Sequence, residues 1–172
     1  MPTYDLIASS NVTSAVNDVT FSSIPATYDD LVLHVSSMYQ TNNGIANNAS
    51  MFIQVNGDTG SSYTFRVLKV SGGTVNGQSY PTVTTGEISA AGDSLWLSYG
   101  ASGTFTFFQY ANSANYKQVM TQWGNAKGAQ GLDMVGNYVW ASTSTINSIK
   151  FYPQRNSFVS GTRIYLYGIK GS

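Results

Sequence analysis

The chain has 172 residues, a single-domain length that buries a core without disulfide or metal staples. Charged residues make up only 9%, against about 25% in an ordinary globular protein, and eight basic side chains balance eight acidic ones. That balance excludes the basic excess of a nucleic-acid binder and the acidic excess of a solvating tail. The absence of cysteine excludes disulfides, thiol catalysis and cysteine–zinc sites, and the single histidine, His34, argues against a multi-histidine metal centre.

The opening Met1-Pro2-Thr3-Tyr4-Asp5 has neither the basic nor the apolar region of a signal peptide, so synthesis in the cytoplasm without export is expected. No apolar run approaches the length of a membrane span. Helical periodicity is nearly absent, and in segment 126–135 the nearby Gly124, Gly128 and Gly131 work against a helix. Strand alternation is everywhere. Leu31, Leu33 and Val35 alternate with Val32, His34 and Ser36. Met51, Ile53 and Val55 follow, then Tyr63, Phe65 and Val67, then Phe105 and Phe107, then Val119, Thr121 and Trp123. Ile149 and Phe151, and Ile164 and Leu166, close the series. Further runs lie at 4–8, 18–24, 80–89, 94–99 and 137–141. Asn56-Gly57-Asp58 is the strongest hairpin signal; Gly72-Gly73, Asn76-Gly77, Gly92-Asp93 and Ser160-Gly161 mark other turns. The pattern predicts an all-β chain of about ten to twelve short strands, forming a two-sheet antiparallel β-sandwich. A jelly-roll-like topology fits the length. One domain, 1–172, is expected, with residues 1–5 tied either to a neighbour, as a docking arm, or into a sheet.

The chemistry-bearing residues are sparse. Eight carboxylates give no spacing diagnostic of a glycosidase pair, and Asp29-Asp30 reads as a strand entry. His34 points away from the Leu31/Leu33/Val35 face, and no Gly-x-Ser-x-Gly accompanies it. The Gly124–Gly131 stretch lacks the Gly-Lys-Ser/Thr ending of a phosphate loop. Asp58-Thr59-Gly60-Ser61-Ser62 reads as an Asx-type turn rather than a calcium loop. No catalytic, cofactor or metal residues are expected, and the chain is not read as an enzyme. The aromatics carry more. If Val139 is the core residue of its run, Tyr138 and Trp140 point outward, as protein-interface anchors or as a sugar-stacking platform; the remaining reading is that both faces of that strand are covered. With Tyr116 and Trp123 they are the candidate interface aromatics. Met1, Pro2, Thr3, Tyr4 and Asp5 complete the candidate interface.

Several segments, in order, resemble a family of small virion structural proteins of tailed bacteriophages, common among phages of cyanobacteria and other aquatic bacteria. They are Tyr4-Asp5-Leu6-Ile7-Ala8-Ser9-Ser10; Val19-Thr20-Phe21-Ser22-Ser23-Ile24-Pro25-Ala26-Thr27-Tyr28 running into Asp30-Leu31-Val32-Leu33; and the turn from Val55 to Tyr63. Tyr110-Ala111-Asn112 with Tyr116-Lys117, then Ile146 to Pro153, then Phe158 to Lys170 complete the match, while 71–104 matches least. The resemblance implies β-sandwich modules on the outside of virions and no enzymatic activity. It points to a capsid cement or decoration protein bound to the major capsid protein at the capsid surface, as a homo-oligomer with a trimer as one arrangement. The alternative is a tail-fibre or receptor-binding module recognising a host surface glycan or protein. The chain carries no coiled-coil or shaft segment, which favours cement. Neither nucleic acid nor membrane is an expected partner.

Overall fold

A computed structural model describes residues 2–38, 51–88, 100–125, 131–153 and 157–171. These form twelve strands, with no α-helix among the described residues: β1 (Thr3–Asn11), β2 (Val19–Phe21), β3 (Asp30–Met38), β4 (Met51–Val55), β5 (Tyr63–Ser71), β6 (Thr74–Val83), β7 (Gly86–Ile88), β8 (Ala101–Phe108), β9 (Lys117–Asn125), β10 (Leu132–Trp140), β11 (Ile149–Pro153) and β12 (Arg163–Lys170). An eight-stranded antiparallel sheet runs β1-β12-β3-β8-β9-β10-β5-β6, and a four-stranded sheet runs β2-β11-β4-β7. The expected sandwich is present, with sheets of unequal size. The expected strand at 94–99 lies outside the described residues. The run 80–89 is broken after Val83 into β6 and β7, which belong to different sheets.

Period-2 alternation sets the core. Leu31, Leu33 and Val35, then Phe105 and Phe107, then Val119 and Trp123, then Ile164 and Leu166 face inward from the large sheet. Ile53, Val55, Ile149 and Phe151 meet them from the small one. Phe151 is the centre of the seam. Its ring lies 5.9 Å from Phe105, 6.2 Å from Trp123 and 5.5 Å from Phe158, contacts that join both sheets to the loop before β12. Aromatic pairs at these distances add about 1 kcal/mol beyond the area they bury.

The turns divide the labour. Gly72 and Gly73, at φ 54° and 81°, close the β5–β6 hairpin with Ser71 opposite Thr74. Two successive positive φ values match the right-handed strand twist, and glycine adopts them without a Cβ penalty. The Asn56-Gly57 turn does form, with Asp58 N–H donating to Val55 O at 2.9 Å. It is a corner between sheets rather than a hairpin, because β4 lies in the small sheet and β5 in the large one. Asn56 fixes the corner: its Oδ1 accepts from the Asn147 and Ser148 N–H groups, and its Nδ2 donates to Thr145 O.

Candidate functional site

The predicted interface residues separate into two groups. Tyr116 is on the surface, 60% exposed. Tyr4 is 62% exposed on β1, and Pro2, Thr3 and Asp5 are also exposed. Thr3–Asp5 is no free arm: Thr3 pairs with Lys170, Tyr4 with Ile169 and Asp5 with Gly168, so it is the start of an edge strand. Met1 lies outside the described residues. Trp123, Tyr138 and Trp140, by contrast, are in the core. The orientation of β10 is therefore the reverse of that expected: Met134, Gly136, Tyr138 and Trp140 face inward, and Val139 faces outward. Tyr138 stacks on Phe65 at 5.5 Å. Trp140 Nε1 donates to Asp58 Oδ2 at 2.7 Å, a bond that gives the indole its polar partner at the sandwich edge. The other oxygen of Asp58 accepts from Gly60 N–H at 2.8 Å, the expected Asx-type turn. The Trp140 N–H and then the Gly60 N–H hold the Asp58 carboxyl below its ordinary value.

Two further surface features stand out. The first is a groove of about 1,070 Å³ where β3 begins, β8 ends and β9 begins. Its wall is the 109–116 loop, and buried polar side chains pin that loop. Asp30, at the entry of β3, accepts from Gln109 N–H at 2.7 Å, which fixes Gln109 at φ 46°. Tyr110 is fully buried; its hydroxyl donates to Pro25 O and accepts from Tyr28 N–H at 3.3 Å. Lys117 is 1% exposed and turns its ammonium inward onto the carbonyls of Asn112, Asn115 and Thr143. Burial pushes Lys117 below the ordinary lysine value and Tyr110 above the ordinary phenol value. The three carbonyl acceptors offset part of the cost of desolvating the ammonium. On the opposite wall the Tyr28 ring lies flat over Gly168, where a Cβ would stand 2.3 Å from the ring, and Lys170 Nζ sits 5.1 Å from the ring centre.

The second surface is the outer face of the large sheet. Leu68, Val70, Val75, Met120 and Val135 are each between 38% and 61% exposed there. Cross-strand pairing joins them: Val135 faces Leu68, and Val70 faces Val75. A shallow depression of about 510 Å³ runs between Leu68, Met120 and Val135. At the other end of the same face Tyr4, Tyr167, Tyr165 and His34 form an aromatic row, with successive ring centres 6.3 to 6.4 Å apart. The sequence carried a signal for the apolar patch. In Val67-Leu68-Lys69-Val70 and Val119-Met120 both parities are apolar or aliphatic, so a second face had to present apolar surface.

The described residues contain no cluster of three or more metal-ligating side chains. No described helix is long and apolar enough to cross a membrane. His34 stacks on Tyr165 and pairs across the strand with Thr104. The fold and surfaces thus define a β-sandwich that presents an apolar sheet face and a polar groove. No family model, curated protein or solved structure matches the chain.

Proposed function

We propose that the protein is a virion structural protein of a tailed bacteriophage, a cement or decoration protein that binds the outer surface of the major capsid protein lattice and stabilises the head. The observation that carries this reading is the exposed apolar face on β5, β6, β9 and β10. Contiguous apolar surface of this kind is a mark of protein–protein contact sites, and the ordered sequence resemblance supplies the class of partner. The near-absence of charge fits a protein held on an assembly better than one dispersed in solution.

The mechanism is mass action. A ligand of the assembled shell that does not bind its loose parts stabilises the shell by its binding free energy. Copies that form a homo-oligomer and bridge neighbouring capsid subunits add avidity without new contacts. The first test is copy number in purified virions by quantitative mass spectrometry. A small-integer ratio to the major capsid protein is expected. A handful of copies per virion would move the protein to the tail, as a receptor-binding module. Particles made without it are expected to assemble and to burst at lower temperature or milder osmotic shock; unchanged particle stability would defeat the cement reading.

A further inference from the structure

We propose that the groove beside Tyr116 is a binding site for an uncharged oligosaccharide. The proposal stands on the groove alone and does not depend on where in a virion the protein sits.

Four observations point the same way. The groove offers exposed ring surface, with Tyr116 60% and Phe108 40% exposed, and the half-buried Tyr28 ring, packed on Gly168, forms the facing wall. Flat apolar rings are what the C–H faces of a pyranose stack on, and the amphipathic tyrosine adds a hydroxyl at its rim. Around the rings stand polar groups with hydrogen-bonding capacity to spare. The side-chain amides of Asn115 and Gln118 line the groove with no hydrogen bond to another described residue, and Asp29 and Asp30 each commit one carboxylate oxygen to a backbone N–H. That leaves two planar amides and two carboxylate oxygens for a hydroxyl-rich ligand, which needs both donors and acceptors.

The third observation is rigidity. The inward ammonium of Lys117, the Asp30–Gln109 bond and the buried Tyr110 hold the loop that carries Tyr116 before any ligand arrives. A site already in shape avoids the ordering cost that weakens binding of flexible polar ligands. The fourth is charge. Two carboxylates line the groove, Lys117 is spent on carbonyls, and Lys170 lies over the Tyr28 ring on the facing wall. An anionic sugar or a phosphate would meet two carboxylates against that single lysine, a balance that favours an uncharged ligand. A peptide is the poorer fit, because the groove lies at the ends of β3, β8 and β9, all interior strands of the sheet. It presents no free strand edge for main-chain pairing.

The test displays the full-length protein as biotinylated tetramers on streptavidin, so that avidity brings weak monovalent sugar binding into range. The probe is a printed array of neutral oligosaccharides built from glucose, galactose, mannose and N-acetylhexosamines, with sialylated, sulfated and uronic-acid glycans beside them. Binding to one or more neutral structures is expected. Tyr116→Ala and Gln118→Ala, both in exposed positions, are each expected to weaken it by about tenfold with an unchanged melting temperature. Binding by neither neutral nor acidic glycans overturns the proposal, as does binding confined to acidic ones. Neutral-glycan binding that survives both substitutions places the sugar elsewhere and overturns it too.

Discussion

The two outer faces of the sandwich solve the same problem differently. On the small sheet, Phe52 and Tyr152 pack against each other at 5.5 Å. Lys150 lies 5.1 Å over the Tyr152 ring and pairs with Asp18 at 3.3 Å. Every one of these strand residues is half-buried by its neighbours, so that face needs no partner. On the large sheet, Leu68, Met120 and Val135 stand beside one another with nothing described above them. The edges repeat the contrast. β1 carries Asp5 and a bulge between Leu6 and Ala8, both devices that discourage strand addition. The ten residues of β6 carry no charge, and its single proline, Pro81, falls near the strand's end. The lesson is that, among the described residues, one quadrant of the molecule, β5–β6 with the neighbouring β9–β10 face, is left uncovered by intramolecular packing.

The sharpest way to break that comparison is to place a charge on each face in turn. On the proposed capsid-binding role, Leu68→Asp or Val135→Asp is expected to weaken binding to particles made without the protein by at least about tenfold, since truncating or charging a central apolar anchor removes most of its contribution. The melting temperature should stay within a degree or two, because both side chains are exposed. Thr20→Asp, on the small sheet opposite Lys150, should leave binding unchanged. A co-sedimentation assay decides it; if Thr20→Asp were the variant that failed to bind, the roles of the two faces would be exchanged.

A second substitution separates the inner from the outer side of one strand. At Gly103 a Cβ would stand 2.3 Å from Trp123 Cε3 and 2.4 Å from Gln122 O. The indole lies on the glycine, and the backbone oxygen has no room to give. Gly103→Ala is therefore expected to cost about 3 kcal/mol, read as a drop of several degrees in thermal unfolding. Thr104→Ala, one residue on and facing outward, should move stability by no more than about 0.5 kcal/mol.

The inner side was largely legible in the sequence, and the rest was not, for physical reasons. Where one parity is apolar and the other polar, as in Leu33-His34-Val35-Ser36 and in 63–67, alternation placed the core correctly and turned His34 outward. On β10 both parities are large or apolar around Tyr138-Val139-Trp140, so local pattern had no means to choose. The choice is made by what lies opposite: Gly136 leaves room for the Thr121 methyl, and Asp58 waits for the Trp140 indole. The Asn56-Gly57 signal was read correctly as a turn and wrongly as a hairpin, because which sheet each flank joins depends on β11, far along the chain. The groove was invisible for the same reason. It is assembled from residues 28–30, 108–118 and 139, and only Tyr116 among its rings had been singled out.

A pH-dependent effect concerns Tyr63, which crosses the seam between the two faces. It belongs to the large sheet, but its hydroxyl reaches the small one, accepting from Val55 N–H at 3.0 Å and lying 3.3 Å from Asp58 O. Burial pushes its phenol from 10.0 up to about 12. The unfolded chain loses this proton near 10, whereas the folded chain holds it to about 12, so between those values the folded state binds more protons. The stabilisation from a neutral Tyr63 is therefore complete below pH 10 and declines as pH rises from 10 towards 12. Tyr63→Phe should cost about 1 kcal/mol near neutrality, the net value of a buried hydrogen bond, and should flatten the alkaline fall in melting temperature. The fall should not vanish, because burial raises Tyr110 and Tyr152 as well. Thermal scans of both proteins from pH 8 to pH 11 measure the difference. Parallel curves would mean that the hydroxyl is already free to ionise in the folded state.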